Sequence, residues 1–311
     1  MSTSQYNFVK TLGKGTFGEV LLLEDKSNPN VKVAMKKVVP KDREDLELIR
    51  SECFVLKALT IIGHVNVIKI FGMKIDYTTV CIYLEYVDGG ELLKKILNGM
   101  NLGKAKFYFR QLVDGLFFLH ENGVVHRDIK PENLLLTKSD TLKLVDFGFA
   151  TFYRNENGEE KMLTNKCGTK EYIAPELYKK GPYRGPPVDV WSAGVVLAEM
   201  LIGVPPWESA TDASYDYLQW ITDCYEDEEP WRSIDEDSIT FLRKILTNDV
   251  QARATIQQVK EDPWLAVEEE STPLLKRKTI ENESSTDDEQ VESSRTEKRQ
   301  RLEISSEISS E

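Results

Sequence analysis

Three stretches of this sequence carry residue types that could act on a phosphate. Gly13-Lys14-Gly15-Thr16-Phe17-Gly18-Glu19-Val20 has the spacing G-x-G-x-x-G-x-V. Glycines at these positions let backbone approach phosphate oxygens and adopt conformations that a Cβ forbids. The same spacing occurs in dinucleotide-binding folds and in plain hairpin turns, so alone it decides little. Val33-Ala34-Met35-Lys36 follows. A lysine beside an apolar run is commonly a surface charge; one that grips phosphate needs a carboxylate to hold it, and Glu52 lies sixteen residues on. The strongest segment is His126-Arg127-Asp128-Ile129-Lys130-Pro131-Glu132-Asn133. It joins an aspartate able to accept a hydroxyl proton, a lysine two residues on and an amide five residues on. Asp146-Phe147-Gly148 and Ala174-Pro175-Glu176 complete the series.

These groups need elements to position them. Phe8 to Leu12, Val20 to Leu23 and residues 31–38 read as strands, with a turn signal at 27–30. From Asp45 to Leu59, the residues Leu46, Ile49, Cys53, Leu56 and Leu59 share one helical face, and Glu52 lies in that helix. Val67 to Met73 and Thr79 to Tyr86 read as two more strands. After Val87-Asp88-Gly89-Gly90 the pattern turns helical. Phe109, Leu112, Val113, Leu116, Leu119 and His120 mark a helix over 107–121. Residues 188–202 are apolar on every side, which predicts a helix buried all round. A further helix is expected over 238–246. The segment 87–90 is thus the expected hinge between a small sheet carrying one helix and a larger helical part.

The length of 311 residues suggests about two domains, and 41% hydrophobic residues are enough for a sizeable core. No run of 18 apolar residues is evident, so no membrane-spanning helix is expected. The N-terminus lacks a basic stretch followed by an apolar one, so no secretory signal is expected. Cys53, Cys81, Cys167 and Cys224 form no C-x-x-C pair, which fits free thiols in a reducing compartment. A net charge of −12 argues against direct nucleic-acid binding by the whole chain. About half of that charge lies beyond Val267, in a stretch rich in Glu, Ser and Thr and without aromatics. This tail, 267–311, is expected to be disordered.

Together and in this order, the five motifs resemble those of the eukaryotic protein kinases, over residues 6 to about 266. The resemblance implies an α+β bilobal kinase fold. Its N-lobe (1–87) would be an antiparallel sheet with one helix, and its C-lobe (88–266) mostly helical. It implies ATP and Mg²⁺ as cofactors, and transfer of a phosphoryl group with little covalent help from the protein. Residues 13–20 would cover the phosphates, and Lys36, anchored by Glu52, would hold two of them. Asn133 and Asp146 would bind the metal, Asp128 would take the hydroxyl proton, and Lys130 would steady the transferred phosphate. Leu12, Val20, Ala34 and Leu135 match the apolar sandwich around adenine, with Leu84 behind it. Glu85 and Val87 would offer backbone groups to the adenine edge, and Glu91 would reach the ribose or the substrate. Leu56, Ile70, His126 and Phe147 match the internal stack of active members. Each of these is equally an ordinary core residue. Asp189 would hold the catalytic loop, and Arg253 would pair with Glu176.

The run 128–133, with Thr169 and Tyr172, resembles the serine/threonine branch; Thr169 would bond Asp128 and Lys130. LEYVDGGELL (84–93), HRDIKPENLLL (126–136), NKCGTKEYIAPELY (165–178), PVDVWSAGVVL (187–197) and ARATIQQVKEDPWL (252–265) narrow the resemblance to the DNA-damage checkpoint kinases, as do Tyr217, Trp220 and Pro230-Trp231. That subfamily carries a long C-terminal regulatory part with Ser-Gln sites. The tail here has no Ser-Gln or Thr-Gln, so control by that route is not expected. Glu91 and Glu132 match acidic positions that bind arginine three residues before the target; the expected partners are therefore protein substrates with Ser/Thr near basic residues, met by a monomer without a membrane. Among activation-segment hydroxyls Thr164 is the best placed phosphosite, and activity is expected not to depend on it. Lys276-Arg277-Lys278 and Lys298-Arg299-Gln300-Arg301 could form a split nuclear import signal, which points to nucleus and cytoplasm. A non-catalytic scaffold would have lost Lys36, Asp128 or Asp146, and all three are present. A calmodulin-regulated or energy-sensing kinase is the other alternative; the former usually carries a basic amphipathic helix after the domain, unlike this acidic tail.

Overall fold

The computed structural model describes residues 5–15, 18–76, 78–224 and 230–266. Thr16 and Phe17 of the glycine loop, and the tail expected to be disordered, lie outside the described residues. The first five strands are β1 (Tyr6–Gly15), β2 (Gly18–Asp25), β3 (Lys32–Val38), β4 (Ile70–Asp76) and β5 (Thr79–Glu85). They form one antiparallel sheet in the order β1-β2-β3-β5-β4. Alternation along β5 sends Val80 and Ile82 to one face and Cys81 and Tyr83 to the other. The first face packs with helix α1 (Arg43–Ile62) through Ile49, Cys53, Leu56 and Leu59. The second gathers Tyr6, Leu23, Val33, Met35, Cys81 and Tyr83 into a smaller cluster. Asp42 caps α1, its carboxylate accepting from the Asp45 N–H at 2.9 Å. The run expected as a strand from Val67 joins the sheet only at Ile70; Val67 instead makes an isolated parallel bridge to Leu144.

The rest is mostly helical: α2 (Leu92–Leu97), α3 (Leu102–Glu121), α4 (Gly185–Ile202), α5 (Tyr215–Ile221), α6 (Glu236–Ile245), α7 (Ile256–Glu261) and α8 (Pro263–Ala266). Two small antiparallel pairs sit among them, β6 (Val124–Val125) with β9 (Thr151–Phe152), and β7 (Leu134–Leu136) with β8 (Leu142–Leu144). The expected face of α3 is buried from Phe109 to His120. Helix α4 is buried nearly all round, as its composition predicts. With 18 residues it is long and apolar enough to cross a membrane by length and composition, which corrects the expectation that no such run exists. It is instead a core helix, 78% buried and carrying Asp189 and Glu199 in its buried part. Tyr217, Trp220 and Trp231 meet Trp191 and Trp207 in one aromatic cluster, with Trp220 and Trp231 at 4.3 Å between centroids. The four cysteines are free.

The segment 86–91 joins β5 to α2 and runs along β7. Gly89 donates its N–H to the Leu136 carbonyl at 2.7 Å, and Leu136 returns one to Gly90 at 2.7 Å. A Cβ on Gly89 would fall 2.4 Å from the Leu136 oxygen, so only glycine allows this approach.

Candidate active site

Short pairings bring the chemistry-bearing residues together. Strand β6 leads into the loop 126–133, which ends in a 3-10 turn at Pro131–Asn133, where proline suits the first position. Strand β7 then pairs Leu134 with Leu144. This register sets Asn133 opposite Val145, whose N–H bonds the Asn133 carbonyl at 3.0 Å, and places Asp146 one step further. The β6–β9 pair draws the chain after Gly148 back beside the loop. Asp146 itself has φ 58, a left-handed conformation that a non-glycine residue keeps only under constraint from its surroundings.

Two clusters result. In the first, Lys36 Nζ bonds Glu52 Oε1 at 2.9 Å and Oε2 at 3.2 Å, and Asp146 Oδ1 at 3.2 Å. Burial would lower the lysine pKa, but the two carboxylates outweigh it and hold the ammonium well above its ordinary range. Burial likewise opposes ionisation of Asp146, and Lys36 overcomes it, leaving that carboxyl below its usual range. In the second cluster, Asp128 is held at both oxygens. Thr169 donates to Oδ1 at 2.8 Å, and Asn133 Nδ2 donates to Oδ2 at 3.0 Å. Lys130 Nζ bonds the Thr169 hydroxyl at 2.8 Å and lies 3.5 Å from Asp128 Oδ2. The loop is hung from Asp189 in α4, which accepts the N–H groups of His126 at 2.8 Å and Arg127 at 2.7 Å. His120 Nε2 lies 3.0 Å from the same carboxylate. Burial would raise the Asp189 pKa, and these bonds instead lower it.

Leu56, Ile70, His126 and Phe147 are all buried, and the His126 and Phe147 rings meet edge-on at 4.8 Å. Ala34 is buried beside Leu84 in the β3–β5 register, and Leu84 and Leu135 are half-buried. Val20 is half-buried and Leu12 exposed. Gly18 has φ 118, and a Cβ there would lie 2.1 Å from the Lys37 carbonyl oxygen; Gly13 has nothing within 4 Å. Within this loop, Lys14 and Thr11 both approach Glu19. Glu85 closes β5, its N–H on the Lys69 carbonyl and its carboxylate 2.7 Å from Lys143. Val87 is buried. Glu91 precedes α2 and bridges backbone to Leu135. Arg253 grips Glu176 with two bonds, 2.7 and 2.9 Å, and lies over the Trp191 ring. Thr164 is exposed.

Several contributors were not visible as motif residues. Glu199 lies in α4, 2% exposed, and accepts the Tyr172 hydroxyl at 2.7 Å. Burial raises its pKa to about 8, against the Tyr172 bond and helped by Glu132 and Glu171. Burial also raises the Glu132 pKa. The signal for Glu199 was present in the sequence: a carboxylate inside the most apolar helix needs a reason to be there. Tyr183 and the Glu85–Lys143 pair carried no such mark.

No group of three or more His, Cys, Asp or Glu able to hold a metal exists among the described residues. Magnesium usually takes one or two protein ligands and completes its shell with phosphate oxygens and water. Asp146 offers a carboxylate and Asn133 an amide oxygen, its nitrogen being committed to Asp128.

A bilobal fold with these clusters at the junction of sheet and helices defines a class, and comparison with known families agrees. The protein kinase domain family matches residues 6–265, and the chain belongs to it. The serine/threonine-protein kinase chk-1 of Caenorhabditis elegans is 51% identical over 263 residues, covering 83% of this chain and 52% of its own length. The chk-1 of Caenorhabditis briggsae is 50% identical over 263 residues, covering 84% of this chain and 53% of its own. The serine/threonine-protein kinase grp of Drosophila melanogaster is 38% identical over 257 residues, covering 81% of this chain and 49% of its own. The chain thus spans about half the length of the curated relatives it matches.

Proposed function

We propose that this chain is a serine/threonine protein kinase of the checkpoint branch, which moves the γ-phosphate of ATP to protein hydroxyls. The observation that carries this reading is the meeting of the Lys36–Glu52–Asp146 bridge with the Asp128–Thr169–Lys130–Asn133 mesh. Phosphoryl transfer depends on positioning and on neutralising charge. Lys36, fixed by two carboxylates, binds the α- and β-phosphates. Leu12, Val20, Ala34, Leu84 and Leu135 enclose the adenine, while Glu85 and Val87 present backbone groups to its edge. Asp128, fixed at both oxygens, orients the substrate hydroxyl and accepts its proton. Lys130, tethered by Thr169, steadies the transferred phosphoryl group. Asp146 and Asn133 would hold magnesium, which supplies charge neutralisation to the phosphates when bound.

The substrate preference follows from acidic residues on the helical side. Glu171 helps to raise the pKa of Glu132, and both help to raise that of Glu199, the mark of negative charge gathered on this side. Glu91 and Glu132, which are not buried, favour a cationic peptide, and the reading is arginine three residues before the target. Replacing that arginine by alanine across a peptide array should lower kcat/KM roughly tenfold or more; an array indifferent to it would refute the preference. The checkpoint role rests on the stretches at 84–93, 126–136, 165–178, 187–197 and 252–265, and nuclear localisation on the two basic clusters of the tail. Activity is read as independent of phosphate on Thr164.

A further inference from the structure

Arg127 stands beside the catalytic aspartate, where an arginine can hold a phosphate on the activation segment. Here it is only 9% exposed and already engaged. Its Nε donates to the Phe149 carbonyl at 2.8 Å, and its Nη1 to the Asn165 carbonyl and the Tyr183 hydroxyl, both at 3.1 Å. All three acceptors are neutral. The Tyr183 hydroxyl in turn donates to the Asn165 carbonyl at 2.7 Å. One phenol oxygen therefore joins the guanidinium to the activation segment as acceptor and donor at once. The Tyr183 backbone exchanges two hydrogen bonds with Leu163, both 2.8 Å. Leu163 and Asn165 flank Thr164, so both neighbours of the one well-placed phosphosite are pinned by Tyr183 while Thr164 itself is exposed. The ring is 3% exposed, and burial raises the hydroxyl pKa, so it stays a protonated donor across the physiological range.

We infer that Tyr183 is a positioning residue whose hydroxyl does for the activation segment what a phosphate on Thr164 would otherwise do. This rests on the reading that activity does not depend on that phosphate, and it supplies the cause. Arg127 already holds the Asn165 carbonyl, and Tyr183 holds it too, so an anion at position 164 adds little positioning to a segment that is fixed without it. Remove the hydroxyl, and Arg127 and the Asn165 carbonyl both lose a partner inside a protected site. An anion at position 164 then becomes useful, because it lies next to the carbonyl that Arg127 already reaches.

The test is a cycle of Tyr183→Phe and Thr164→Glu, measured with ATP and a basic serine peptide. Tyr183→Phe should lower kcat roughly tenfold, with KM for ATP within about twofold, since a hydrogen bond to a charged group is lost away from the nucleotide. Thr164→Glu should leave the otherwise unchanged chain within about twofold, yet recover most of the rate in the Tyr183→Phe background. A rate unmoved by Tyr183→Phe would overturn the inference. So would a loss that Thr164→Glu fails to recover, which would make Tyr183 a packing residue only. Hydrogen exchange of residues 161–167 reads the same latch whatever the activity. It should quicken in Tyr183→Phe and slow again in the double variant, and unchanged exchange would equally overturn the inference. A chain with an intact exchange cycle but no phosphate transfer would instead overturn the kinase reading alone.

Discussion

Replacing Glu199 by Gln should flatten the dependence of stability on pH. The carboxyl is enclosed in α4 against Tyr172, and burial raises its pKa from an ordinary 4.5 to about 8. Between those values the folded protein holds one proton more than the unfolded chain. Its contribution is therefore fully present below about 4.5 and is lost as pH rises through 8. One proton corresponds to about 1.4 kcal/mol per pH unit. For a domain of this size, that is roughly 3–5 °C of Tm per unit. Glutamine keeps an oxygen to accept the Tyr172 hydroxyl and has no such proton to lose. Thermal scans of both proteins from about pH 5.5 to 8.5 should show the variant gaining on the parent by that amount per unit, then levelling above about 8. Parallel curves would refute the reasoning, because they would mean that the buried carboxyl does not change its charge in this window.

Two further substitutions separate catalysis from stability. Glu52→Gln keeps the side-chain shape but removes the charge that fixes Lys36; kcat/KM for ATP should fall about a hundredfold while Tm moves by only a few degrees, read by steady-state kinetics and thermal scanning together. Arg253→Met leaves Glu176 without its guanidinium in a site where the arginine side chain is wholly buried. It should cost about 3–5 kcal/mol, seen as a fall of roughly 6–15 °C in Tm, and the double change with Glu176→Leu should recover much of the loss.

The parts of the site legible in the sequence were those whose chemistry depends on local spacing. Asp128, Lys130 and Asn133 lie within one short loop, and Lys36 and Glu52 each sit on an element with clear periodicity. Helix α1 proved longer at both ends than its apolar face suggested, because Asp42 and Gly63 cap it outside that face. Contacts fixed only by tertiary packing were not legible. Val67 reads as strand, yet its neighbours are set by Leu144 rather than by the sheet. The two-residue strands β6 and β9 are too short for any alternation to show. Tyr183 looks like one more aromatic residue before a helix, and only the fold brings it to Arg127 and Asn165. Glu199 was the intermediate case: its burial followed from the all-round apolar character of α4, but its meeting with Tyr172 did not.

Asp128 is the group proposed to accept the hydroxyl proton as phosphate passes from ATP to serine or threonine. The most direct measurement is phosphate incorporation into an arginine-containing serine peptide with ATP and magnesium, comparing the parent chain with Asp128→Asn. The parent should phosphorylate the peptide, and the variant should be slower by roughly a hundredfold to ten-thousandfold while still binding ATP. Equal transfer by the two proteins would contradict the account.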